Sequence, residues 1–168
     1  MSFESPNPRP DALAQGMTPG VTKETAQGTA QGIARGLARG VVRLFDSHGF
    51  AYVTEFTLAN GRRADVMALG PAGEVHCVEI KTSLPDFRAD AKWPDYLDYC
   101  DAFFFAVPAD FPLEVLPGDC GLVVADAYGG EFLRGAPPRK LNAARRKAVT
   151  LRFGLTAARR LGQILDPP

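Results

Sequence analysis

The chain reads as an α/β protein, a mixed sheet of about five or six strands flanked by helices, and three observations predict this. Three strand-like runs follow one another through two short loops that each end in glycine. Two strongly apolar runs come after a helical stretch interrupted by proline. Long amphipathic stretches lie before and after these strands. With 168 residues, 46% of them hydrophobic and 23% charged, the composition fits one ordinary soluble domain and excludes general disorder or a fibrous repeat.

Residues 1–24 hold Pro6, Pro8, Pro10 and Pro19 among small and polar residues, and are expected to form a disordered tail ahead of one domain over residues 25–168. From Gln27 a helix is predicted, with Ile33, Leu37, Val41, Leu44 and Phe45 as its apolar stripe. Gly28, Gly32, Gly36 and Gly40 recur every four residues. Each costs a helix up to about 1 kcal/mol relative to alanine, so the repeat implies close approach of another element or a fraying start.

Tyr52–Leu58, Arg62–Leu69 and Glu74–Lys81 then read as strands. Their connections, Ala59-Asn60-Gly61 and Pro71-Ala72-Gly73, suit three-residue hairpin loops closed by a left-handed glycine. Beyond them, Pro85 opens a helical stretch that Pro94 must break, giving two short helices that meet near Lys92 and Trp93. Asp101–Val107 and Gly121–Ala127 are expected as buried strands and Glu131–Arg134 as an edge strand. A closing helix is predicted from about Arg139 to Gly162.

The balance of 19 basic and 19 acidic residues conceals an asymmetry. Residues 1–133 hold 10 basic and 18 acidic side chains, while residues 134–168 hold 9 and 1. Such a basic block serves either an anionic partner or the acidic part of its own fold. No apolar run is long enough to cross a bilayer, and the N-terminus opens without a secretion signal. Cys77, Cys100 and Cys120 lack metal-ligand spacing and read as reduced packing residues, so a cytoplasmic location without membrane attachment is expected.

Alternation along the third strand puts Cys77, Glu79 and Lys81 on one face, and His76, Val78 and Ile80 on the other. If both loops are of the three-residue kind, Glu55 lies opposite Asp65 and Asp65 opposite Glu79. Three carboxylates would then stand abreast on strands about 4.8 Å apart. A two-residue loop at either turn would flip the parity and break the row. Carboxylates so placed repel one another unless a cation joins them, and an all-oxygen set selects Mg²⁺ or Mn²⁺ over Zn²⁺. The chemistry that needs this arrangement is phosphodiester hydrolysis, with Lys81 stabilising the attacking hydroxide or the developing charge.

The stretch ADVMALGPAGEVHCVEIK, with Asp65 followed by Glu79-Ile80-Lys81, resembles the motif of PD-(D/E)XK nucleases, with Ala64 in place of the usual proline. EIKTSLPDFRADAKWPDYLDYCDAFFFAV is similar to the bacterial MmcB-type DNA-repair proteins of that superfamily, and the resemblance covers about residues 33–160. It implies a restriction-endonuclease-like core and a metal-dependent DNA endonuclease acting in repair. Asp65 and Glu79 would be metal ligands, Ile80 would offer its carbonyl, and Lys81 would be the catalytic lysine. Glu55 is a further candidate ligand, since the first helix offers only Glu24 before it and Asp46 at its end. Lys92 and Tyr96 sit where some relatives carry a glutamine and tyrosine pair that touches DNA.

In the closing helix, Arg145, Arg152 and Arg159 recur every seven residues. Leu141, Ala144, Ala148, Leu151, Leu155 and Ala158 form a neighbouring apolar stripe. The helix is therefore expected to dock by that stripe and hold the DNA backbone with its arginines, unless these salt-bridge the acidic body instead. Asp86 reads as a helix cap, Trp93 and Phe103–Phe105 as packing, and His48 and His76 as structural histidines. DNA and other DNA-repair proteins are the expected partners. The alternative is a module that keeps the fold and binds DNA or a repair protein without cutting.

Overall fold

A computed structural model of the protein describes residues 23–167. The expected tail over residues 1–24 lies outside them, apart from Lys23 and Glu24, which already belong to the first helix. The strands are β1 (Ala51–Thr57), β2 (Arg63–Leu69), β3 (Val75–Ile80), β4 (Ala102–Val107), β5 (Gly121–Ala125) and β6 (Gly130–Arg134). They lie side by side in chain order in one six-stranded sheet. β1 to β3 form an antiparallel meander, β3 to β5 run parallel, and β6 returns antiparallel. α1 (Lys23–Ser47) covers one face; α4 (Ala143–Leu165), with the short α2 (Leu84–Ala89) and α3 (Pro94–Leu97), covers the other. This is the mixed α/β architecture that the sequence predicts.

Both meander loops have the predicted chemistry. The Gly61 and Gly73 N–H groups donate to the carbonyls of Leu58 and Gly70, at 3.1 and 3.0 Å, closing one turn in each loop. Both glycines are left-handed, at φ 81° and 84°, where a side chain would be strained. The turns fix the register: Thr54 pairs with Val66, and Val66 with Val78. β4 is buried along its whole length, as a parallel strand covered on both faces must be.

The glycine repeat of α1 divides in two. A Cβ on Gly40 would collide with the carbonyl oxygens of Asp126 and Gly129, and one on Gly36 would touch Ala127 at 3.4 Å. The second half of the helix therefore packs backbone to backbone on the β5–β6 turn, and Arg43 donates to the carbonyls of Ala127 and Tyr128. A methyl group added at Gly28 or Gly32 would meet nothing within 4 Å.

α4 departs from expectation in two ways. It starts at Ala143, because the segment before it is held extended. Arg139 N–H donates to the Asp101 carbonyl, Leu141 N–H to the Asp101 carboxylate, and Asn142 caps the helix by accepting from Arg145 N–H at 2.8 Å. The docking face also differs from the predicted one. Val149 and Phe153 are buried and Ala157 packs beside them. Ala144, Ala148, Leu151, Leu155 and Ala158 lie on the opposite side and are exposed, Leu151 at 61%.

Asp101 ties these parts together. Its carboxylate accepts from Val75 N–H, Leu141 N–H and both terminal nitrogens of Arg146. Burial pushes its pKa up, but these donors outweigh burial and hold it below the ordinary carboxylate value. Trp93 stacks on Phe103 with ring centres 5.5 Å apart, and His76 lies between Phe45, Phe50 and Phe104, so these are packing residues. The three cysteines are free and buried. No helix among the described residues is long and apolar enough to cross a membrane.

Substituting the two halves of the glycine repeat separates close packing from helix propensity. Gly32→Ala should raise stability by up to about 1 kcal/mol, whereas Gly40→Ala should lower it by more than that. Thermal melting of the two variants beside the wild type measures both.

Candidate active site

The β2–β3 ladder stops at the Val66–Val78 pair. Past that point a side chain replaces the strand partner, and Ile80 N–H donates to Asp65 Oδ2 at 2.7 Å. On its other edge β3 stays paired to β4, and Lys81 N–H donates to the Ala106 carbonyl at 2.9 Å. The end of β3 thus opens toward β2 only. A cavity of about 560 Å³ lies there, lined by Glu55, Asp65, Glu79, Ile80 and Lys81 among others.

Glu79 and Lys81 are almost fully buried, with side-chain exposures of 7% and 4%. Lys81 Nζ donates to Glu79 Oε1 at 3.1 Å and to Asp90 Oδ2 at 2.9 Å. Glu79 Oε2 is buried without a hydrogen-bond partner. Burial, then the neighbouring Asp65 carboxylate, push the pKa of Glu79 up to about 8 despite the Lys81 ammonium. Burial also raises Asp65 to about 6, with the Ile80 N–H bond only partly offsetting it. Burial works to lower Lys81, but its bonds to Asp90 and Glu79 prevail and hold its pKa above the ordinary lysine value.

Glu55 occupies its expected place in the row, but it is half-exposed at the cavity rim, from where its charge helps to raise the pKa of Asp65. Its backbone is left-handed at φ 48°, and its carboxylate meets Arg63 Nε at 2.6 Å. Among the described residues no three of His, Cys, Asp and Glu converge as a ready-made metal cluster. The expected three abreast are two inward carboxylates with Glu55 at the rim.

Asp90 carries no signal in the sequence pattern, yet it is the second partner of Lys81. α2 is short enough to bring the chain back to β3. Its start is a capping box in which Ser83 accepts from Asp86 N–H, while Asp86 Oδ2 accepts from Thr82 N–H and Oγ1. The cap residue is therefore Ser83, with Asp86 three positions later. Gln31 and Arg35 of α1 also line the cavity, and nothing in the helical pattern marks them out.

The expected DNA contacts are dispersed. Lys92 is exposed between α2 and α3, outside the cavity. Tyr96 is a core residue: it is 4% exposed, stacks on Phe103, and its hydroxyl donates to the Arg63 carbonyl at 3.1 Å, which withdraws it from a ligand. Arg145 lies on Asp98 and over the Tyr99 ring, and Arg152 donates to the Thr57 carbonyl. Both flank the docked face of α4 and fold onto the protein, in place of the expected row shown to solvent. Arg159 is exposed, with no hydrogen bond or ion pair among the described residues.

The fold and this site define an α/β protein with a buried carboxylate and lysine, and a second, half-buried carboxylate, where the meander meets the parallel strands. The chain belongs to the family described as MmcB-like, DNA repair protein MmcB-like, whose model matches residues 21–168. It is also similar to the SPO1766 protein of unknown function from Silicibacter pomeroyi. Sequence identity is 53% and the TM-score 0.76, over 78% of this chain and 90% of that one. Among curated proteins no match is found. Family membership assigns the chain to DNA repair.

Two outcomes follow from these electrostatics. Asp65 and Glu79 bind protons more tightly folded than unfolded, so the folded state is favoured at low pH and loses stability as pH rises from about 4 to about 8. Asp101 and Asp90, held low, act below that window, and His76, which burial holds below its ordinary value, opposes the trend within it without matching two carboxylates. Melting temperature should fall across it in metal-free buffer, and Glu79→Gln should flatten the slope. At position 55, Glu55→Gly should be more stable than Glu55→Ala by about 1 kcal/mol, reversing the usual order in a strand, because only glycine adopts this φ without strain. Denaturant titration of the pair measures the difference.

Proposed function

We propose that the protein is a metal-dependent DNA endonuclease that hydrolyses phosphodiester bonds in repair. The observation that carries this reading is the constellation of half-buried Asp65 with buried Glu79 and Lys81, with Glu79 Oε2 left without a partner. Two proximal carboxylates whose protons are retained so far above the ordinary range favour a cation between them. The donor set fits Mg²⁺ or Mn²⁺: hard oxygens from Asp65, Glu79 and the Ile80 carbonyl, with neither thiolate nor imidazole in the cavity lining. When bound, the dication supplies Lewis acidity toward phosphate oxygens.

The chain's own residues do the rest. Asp65 is fixed by Ile80 N–H, so one of its oxygens is already committed and the carboxylate cannot rotate freely. Asp90 and Glu79 hold the Lys81 ammonium at the cavity wall and keep it protonated, ready to donate to a phosphate oxygen or an attacking water. The alternative, a DNA-binding module that does not cut, draws on Glu55 being tied to Arg63 and on Lys81 being enclosed by two carboxylates.

Incubation with single-stranded, nicked, flapped and branched DNA in Mg²⁺ or Mn²⁺ decides between the two. Asp65→Asn should reduce cleavage by two or more orders of magnitude with the fold intact, Lys81→Ala should do likewise, and chelator should abolish cleavage. Full cleavage in excess chelator overturns the metal-dependent reading. Binding without cleavage across the panel favours the non-cutting module.

A further inference from the structure

The wall of the cavity opposite the carboxylates is α1. Ala30, Gln31, Ala34, Arg35 and Ala38 face it, positions that share one side of a helix. Three alanines keep that wall low and leave the cleft open. Gln31 and Arg35 rise from it one turn apart, with Cβ atoms about 6 Å from each other.

The charges in the cleft are unevenly matched. Glu55, Asp65, Glu79, Asp86 and Asp90 line it. Lys81 commits two of its three ammonium N–H groups to two of these carboxylates. Arg35 is exposed and makes no hydrogen bond or ion pair among the described residues, unlike Arg43, Arg62, Arg63, Arg145, Arg146 and Arg160. It is therefore the cation of the lining whose donors are all uncommitted among the described residues. A phosphate entering an acidic cleft needs such a counter-charge, and a guanidinium meets it with paired donors.

We propose that Arg35, supported by Gln31, is the phosphate-gripping residue of the cleft, holding a nucleic-acid backbone against α1 and across from Asp65 and Glu79. The proposal rests on the reading that this cleft takes DNA. It assigns a backbone contact to a helix that carries no acidic residue at these positions. Base identity plays no part in it, since phosphate contacts position a strand without reading it.

The test compares Arg35→Gln with Arg39→Gln. Arg39 is exposed one turn further on, outside the cavity lining, so it controls for net charge. Binding of fluorescent single-stranded and branched DNA is measured in Ca²⁺ against salt, and cleavage in Mg²⁺, with melting curves confirming the fold. Arg35→Gln should weaken binding roughly fivefold and lower the salt slope by about one, while Arg39→Gln changes affinity less than about twofold. Gln31→Ala should weaken binding to a smaller degree.

Equal effects of the two arginine substitutions overturn the proposal by reducing it to bulk charge. Wild-type cleavage with an unimpaired Arg35→Gln variant overturns it and leaves the nuclease reading standing. Binding that depends on Arg35, with no cleavage in any metal, supports the grip and removes the nuclease reading. Absence of any DNA binding by the wild type overturns the grip.

Discussion

Where β2 and β3 part, one backbone N–H would be left facing the gap, and the Asp65 carboxylate satisfies it. An unpaired buried N–H costs about 1–3 kcal/mol, so the gap can persist only with such a substitute. The substitute is charged, and it forces the arrangement around it. A carboxylate beside Glu79 in a half-buried site raises both pKa values. Lys81 answers that charge, but a buried ammonium needs more than one acceptor, and Asp90 supplies the second. The short α2, capped through Ser83 and Asp86, is what returns the chain to deliver Asp90. One strand divergence thus dictates a carboxylate, a second carboxylate's protonation, a lysine and a helix length.

The parts of this that could be read from the sequence are those governed by local chemistry. Gly61 and Gly73 announce left-handed loop closure, loop length sets register, and register places Glu55, Asp65 and Glu79 in one row. The parts that could not be read depend on neighbours distant in the chain. Glu55 is held at the exposed rim because its backbone adopts a conformation that no side-chain pattern signals, and because Arg63 lies on the adjacent strand. Tyr96 has the right spacing from Lys92 for a ligand contact, yet the Phe103 ring offers it a buried stacking surface. In α4 both sides carry apolar residues, so periodicity admits two docking faces. The larger Phe153 ring, packed against Phe56, marks the face that docks.

Part of the charge asymmetry between the two parts of the chain is resolved inside the molecule. Arg146 joins Asp101, Arg145 joins Asp98, and Arg152 and Arg160 reach carbonyls of β1. Ion pairs on the surface contribute little individually. Arg146 differs, because the carboxylate it joins also binds the N–H groups of Val75 and Leu141, linking β3, the segment before α4 and the helix in one network. The basic segment is thus bound into the fold first, and only what remains exposed is free for another molecule.

Arg160 carries this coupling to the rim of the cavity. Its terminal nitrogens donate to the carbonyls of Thr54 and Glu55, the latter at 3.2 Å, while Arg63 holds the Glu55 carboxylate. A non-glycine residue in the left-handed region costs about 1–2 kcal/mol and persists where its surroundings fix it. Here one arginine grips the backbone from α4 and another grips the side chain from β2. The strained residue therefore sits between two fixed points, with its carboxylate held by Arg63 at the rim of the cavity. By this route the closing helix acts on the site without touching it, through the conformation of the strand that bounds the cavity.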